Sequence, residues 1–154
     1  MFVVYRGTMP RFFTLQQAEK ALPDVASALR EAIALKADYD RGESEWQGFS
    51  QQVAVMGGMQ VDRARVSELK NKRQTAALAL KEAIEKVQEF GCLVKDLDVG
   101  LVDFPTLFHG EEVYLCWKLG EPAIQFWHGV SEGFRGRKPI DASFLEQHRG
   151  EIAN

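Results

Sequence analysis

The chain has 154 residues, the length of one domain burying roughly 68–70% of its unfolded surface. Its 45% apolar and 27% charged content is that of an ordinary globular protein, and a net charge of −3 offers no whole-chain attraction to nucleic acid or an anionic membrane. No apolar run approaches the roughly 20 residues of a membrane span, and the opening MFVVYRGTM lacks the basic leader of a secretion signal.

Two cysteines, Cys92 and Cys116, are too few and too far apart for a disulfide scaffold or a CxxC metal knuckle. They read as reduced thiols, and the chain reads as cytoplasmic. Met9-Pro10-Arg11 offers an alternative translation start, which would leave residues 1–8 as an extension.

Thr14-Leu15-Gln16-Gln17 has the form of a capping box, a hydroxyl at the N-cap and a glutamine three residues on. Leu15, Ala18, Leu22, Val25, Leu29, Ala32 and Ile33 then recur at steps of three and four, predicting a helix to about Tyr39. Pro23 predicts a kink or restart within it. Asp40 to Gly42 reads as a break, and Glu43 to Val55 as a weaker second helix carrying Trp46, Phe49 and Val53. After the Gly57-Gly58 turn, a long helix is expected from about Asp62 to Phe90, with Val66, Leu69, Ala76, Ala77, Leu80, Ile84 and Val87 on one side. Arg73 falls on that stripe and weakens a strict heptad. Gly91 stands where a left-handed C-terminal cap belongs. Residues 14–90 thus read as an antiparallel helical hairpin or three-helix bundle rather than an extended coiled coil.

At Gly91 the apolar period falls from about 3.6 to 2. Val113, Leu115, Trp117 and Leu119 alternate with Tyr114, Cys116 and Lys118, while His109-Gly110 and Gly120-Glu121-Pro122 punctuate the run like hairpin turns. Leu93 to Leu97, Leu101 to Phe104 and Ala123 to His128 supply the other strands. Residues 91–128 therefore form an antiparallel β-meander whose apolar face the helices must cover. The fold class is α+β in a single domain. Residues 141–154 are a polar tail, with a short helix over Ala142 to His148 and a loose end.

The order FTLQQAEKALP at 13–23, GCLVKDLDVGLVDFP at 91–105, LCWKLGEPAIQFWH at 115–128 and GFRGRKPI at 133–140 resembles the bacterial family catalogued as domain of unknown function 2203. The resemblance covers most of the chain and is weakest over 41–62. It implies a small soluble bacterial protein, and no activity comes with it.

The Gly91–His128 run also concentrates the chemistry, with two of three tryptophans, both cysteines and two of three histidines. Residues 91–154 carry 6 basic and 10 acidic side chains, net −4, against 13 and 12, net +1, for residues 1–90. That half favours cations over phosphates. Asp96, Asp98, Asp103 and Glu121, with His128 and His109, form the candidate constellation. Oxygen donors with an imidazole suit Mg²⁺, Mn²⁺ or Fe²⁺, and histidine plus carboxylates also take Zn²⁺. Asp96 and Asp98, two apart on a strand, would share a face, and Asp103 would fold back toward them. The spacing matches no EF-hand, HExxH helix or facial triad. The competing and commoner role is turn capping or pairing with Lys95, Lys118, Arg135 and Arg137.

Glu121 and His128, if close, would make an acid–base pair near neutral pH. His128 shares parity with Ile124 and Phe126, which points it toward the apolar face, where a histidine is more often a satisfied core group than a ligand. Cys116, between Leu115 and Trp117, sits in no known catalytic pattern and reads by inward parity as a small buried hydrophobe, whereas a nucleophile would need a pKa lowered by nearby His or Arg. Trp117, Trp127, Phe104, Phe108, Phe126 and Phe134 could line a ligand pocket, although core packing is the usual employment of such rings. Arg135 and Arg137 are candidate anion clamps or ion-pair partners. Lys70, Lys72 and Arg73, flanked by glutamates, read as a solvated helix face, not a nucleic-acid stripe.

The expected function is a cytoplasmic domain without enzymatic activity that binds a small ligand or a divalent metal, or mediates protein association. The hairpin would serve as a homodimer surface. The alternative is a metal-dependent hydrolase using Asp96, Asp98, Asp103, Glu121 and His128 as ligands or acid–base groups.

Overall fold

The computed structural model describes residues 11–57 and 61–150. Residues 1–8, Gly58 of the glycine turn and the end of the tail lie outside the described residues, as do the expectations made for them. The first element, α1, spans Leu15–Val55, and its start carries the expected capping box: Thr14 accepts from the Gln17 N–H while the Gln17 side chain accepts from the Thr14 N–H. The 41-residue helix, about 60 Å long, passes through both expected interruptions. Pro23 lies inside it, within a face where Ala18, Leu22, Val25, Ala26 and Leu29 are buried. That burial outweighs the roughly 3 kcal/mol that an internal proline costs. Gly42 does not end it either. It is buried against α2, where a Cβ would meet Arg73 Cγ at 4.0 Å.

The second helix, α2, spans Arg63–Gln88, with Asp62 capping the Arg65 N–H. Together α1 and α2 form the helical hairpin, and among the described residues no third helix stands between them. The seam is more regular than the sequence suggests. Inward residues of α1 recur at alternating steps of three and four through Leu22, Val25, Leu29, Ala32, Lys36 and Tyr39 to Val53, and Val66, Leu69, Arg73, Ala76, Leu80, Ala83 and Val87 repeat this on α2. This is heptad spacing. Arg73 fits the seam because its guanidinium forks onto Glu43 at 2.9 and 3.2 Å and lies over the Trp46 ring at 5.1 Å.

Gly91 follows α2 at φ 104, where a Cβ would strike the Phe13 ring at 2.9 Å. Only glycine meets both demands. The sheet then runs as β1 (Leu93–Asp96), β2 (Leu101–Phe108), β3 (Glu111–Lys118), β4 (Phe126–Gly129) and β5 (Lys138–Pro139), antiparallel and in that order. A 3-10 turn at Phe134–Gly136 separates β4 from β5. A short helix, α3 (Ala142–Gln147), leads into β6 (His148–Arg149), which pairs with the end of β2. The two-residue strands β5 and β6 carry no sequence signal.

Alternation splits the sheet into two faces. Val102, Phe104, Val113, Leu115 and Trp117 share one core cluster with α1 and with Val87 of α2. Phe13 closes it, its ring edge-on to Phe104 at 5.3 Å and its N–H donating to Pro105 O at 2.7 Å. Ile124 belongs to that core but precedes β4, so it does not share a face with Phe126 and His128. Those two side chains lie with Asp103, Tyr114 and Cys116 on the outer face.

Candidate functional site

The outer face is where the chemistry gathers. The two-residue turn His109-Gly110 has positive φ at both positions, 53° and 77°, as a tight hairpin of type I′ requires. It sets β2 against β3 so that Asp103 lies directly opposite Cys116. The pairing of β3 with β4 then places Cys116 opposite Phe126 and Tyr114 opposite His128. Three central strands thus deliver Asp103, Cys116 and His128 to one spot, with one donor atom from each lying within 4.8 Å of the others. All three are buried, at 1%, 0% and 3% exposure.

The hydrogen bonds define the cluster's proton arrangement. His128 Nδ1 lies 2.8 Å from Gly129 O. A carbonyl only accepts, so Nδ1 carries a proton. The opposite nitrogen, Nε2, lies 3.1 Å from Asp103 Oδ1, and one proton serves that contact. Burial pushes the Asp103 carboxyl above the usual carboxylate range, and the facing imidazole opposes that rise. Burial also pushes the Cys116 thiol up to about 12, reinforced by the carboxylate beside it. Cys116 is therefore a protonated thiol that hydrogen-bonds to Asp103, not a nucleophile. The Tyr114 ring meets His128 edge-on at 5.6 Å, and Lys95 lies over that ring at 4.8 Å.

Next to Phe126, Arg137 folds onto the same face. Its Nη2 reaches both oxygens of Glu121 at 2.6 and 2.7 Å, while its guanidinium sits over Phe126 at 4.1 Å and Phe134 at 4.7 Å. Glu121 Oε1 also accepts from the Lys118 N–H at 2.9 Å. The buried Arg137 Nε has no hydrogen-bond partner among the described residues. Of the two arginines considered as ion-pair partners, Arg137 makes the pair, whereas Arg135 lies exposed in the 3-10 turn.

The sequence candidates therefore separate. Asp103 and His128 meet. Glu121 does not join them, being held by Arg137. Asp96 and Asp98 do not share a strand face, because β1 ends at Asp96, whose carboxylate accepts from the Asp98 and Val99 N–H groups at 2.8 and 3.4 Å. Asp98 pairs instead with Lys36 of α1 at 2.9 Å. His109 sits exposed at the β2–β3 turn with its ring against Phe108. Cys116, read from sequence only as a small buried hydrophobe, is the third member of the cluster. Hairpin register was the signal that could have found it, since the turn at 109–110 puts 103 opposite 116.

No curated protein and no solved structure is significantly similar to the chain. Its family is nevertheless plain: with residues 11–140 matched, the chain belongs to the family described as uncharacterized conserved protein (DUF2203).

Proposed function

We propose that the protein is a binding domain without enzymatic activity, its site being the outer face of the meander around Asp103, Cys116 and His128. One observation carries this reading: the carboxylate, thiol and imidazole that meet on the outer face are buried and bonded to one another. A hydrolase needs a base or metal position open to substrate and water. Here the carboxylates at Asp96, Asp98 and Glu121 are committed to a turn, to Lys36 and to Arg137, which speaks against the five-residue hydrolase. The described helices include none long and apolar enough to cross a membrane. We propose a bacterial cytoplasmic setting, in keeping with the buried Cys116 thiol, which lies outside any disulfide. The hairpin would provide the surface for self-association, which light scattering at micromolar concentration tests.

The decisive assay for catalysis uses p-nitrophenyl acetate, p-nitrophenyl phosphate and bis-p-nitrophenyl phosphate, each with Mg²⁺, Mn²⁺ or Zn²⁺. The binding-domain reading expects no turnover above buffer. Turnover that disappears in His128→Gln would overturn it.

A further inference from the structure

We infer that Asp103, Cys116 and His128 form a binding site for a thiophilic divalent transition metal of the zinc class. This rests on the reading of the outer face as a binding site and names its ligand. The first ground is geometry. Zinc bonds of about 2.0–2.3 Å hold tetrahedral ligand atoms roughly 3.3–3.8 Å apart. The donor atoms all lie within 4.8 Å of one another, and Asp103 Oδ1 lies 3.1 Å from His128 Nε2. Small movements of side chains on a fixed sheet would admit the ion.

The second ground is how the histidine is held. A metal-bound imidazole characteristically donates its other N–H to a carbonyl or carboxylate, which sets the ring's orientation and tautomer. His128 Nδ1 already does this to Gly129 O at 2.8 Å, turning Nε2 toward Asp103 and Cys116. The third ground is the donor set. One oxygen, one nitrogen and one sulfur suit zinc, cobalt or ferrous ion, whereas magnesium and calcium take oxygen shells and gain nothing from a thiolate.

Charge is consistent with a dication. Coordination releases the Cys116 thiol proton to solvent, and a dication with thiolate, carboxylate and neutral imidazole has no net charge. The nearby Arg137 is already neutralised by Glu121. Three protein donors leave the fourth tetrahedral position to a water enclosed with the ion, not to a substrate.

Cobalt(II) is the probe, because its spectrum reports the ligands. Metal-free protein titrated with Co²⁺ is expected to bind one equivalent, with tetrahedral visible bands and a thiolate-to-cobalt band in the near ultraviolet. Cys92→Ser should keep that band and Cys116→Ser should lose it. Zinc should displace the cobalt and raise the Tm by roughly 5–10 °C at a hundredfold excess over Kd. Absence of a thiolate band in the wild-type protein, or its loss in Cys92→Ser alone, overturns the inference even if Cys116→Ser fails to fold. The two proposals fail separately. A protein that binds no cobalt would still be a binding domain, whereas cobalt-loaded protein that hydrolyses the p-nitrophenyl esters would keep the metal site and refute the non-catalytic reading.

Discussion

Asp103 and His128 face each other across 3.1 Å in the interior of the outer face, at 1% and 3% exposure. They come from β2 and β4, strands separated by β3, so folding alone brings them together. Removing one partner strands a buried polar or charged group, which costs about 3–5 kcal/mol. We expect His128→Ala and Asp103→Ala each to cost an amount of that order. The double variant should cost clearly less than their sum, with a coupling of about 1–3 kcal/mol. Urea unfolding of the four proteins measures it, and additive losses would mean that the contact carries no energy.

The Cys116 thiol is held protonated by burial and by the neighbouring carboxylate, with its pKa pushed up to about 12 from the usual 9. The sign follows from proton counting. Between pH 9 and 12 the folded chain keeps a proton that the unfolded chain has released, so this contribution to stability falls as pH rises through that window. Below pH 9 it is fully present. Metal-free wild-type protein should therefore lose more stability than Cys116→Ala on going from pH 8.5 to 10.5. Cys116 in folded metal-free protein should also resist a disulfide reagent at pH 8. Rapid labelling of Cys116 under native conditions would contradict this.

Arg137 anchors the 3-10 turn to the sheet through Glu121 and two aromatic faces, and the pair is only 11% and 18% exposed. Lysine keeps the charge and loses the planar fork and the stacking. Arg137→Lys should lower stability by about 1–3 kcal/mol. It should also speed amide exchange over residues 130–137 without a comparable change in α1 and α2. Exchange by mass spectrometry checks both, and uniform acceleration throughout the chain would argue against a local anchor.

The β2–β3 turn allows a converse test. His109 sits at φ 53, in the left-handed region that a non-glycine residue occupies at a cost of about 1–2 kcal/mol. His109→Gly should be neutral or stabilising by up to about 1 kcal/mol, while Gly110→Ala, at φ 77, should destabilise by at least about 1 kcal/mol. Thermal melts decide this. Neither change should alter cobalt binding, since His109 is not part of the cluster.

Much of the architecture was written in local pattern. The Thr14 box, the 3.6-residue stripes, the cap at Gly91 and the alternation of Val113, Leu115 and Trp117 located the hairpin and the meander. Helix continuity was not legible. Pro23 and Asp40–Gly42 are local breakers, and what overrides them is tertiary: the sheet behind Val25 and Leu29, and Arg73 against Gly42. The site was half legible for a related reason. Composition singled out Asp103 and His128, but carboxylates near glycine looked alike until pairing separated Asp96, which caps a turn, from Asp103, which is buried. On its own strand Cys116 is only a small hydrophobe. Its role comes from what lies across the ladder, which only the register of two hairpins reveals.

The state of the His128 ring, which nitrogen-15 long-range correlation spectra read at neutral pH, tests the site most directly. The structure predicts a slowly exchanging proton on Nδ1, held by Gly129 O, and an Nε2 resonance that shifts on one equivalent of zinc while that proton stays. A bare Nδ1, or an Nε2 signal indifferent to zinc with the metal bound elsewhere, would contradict it.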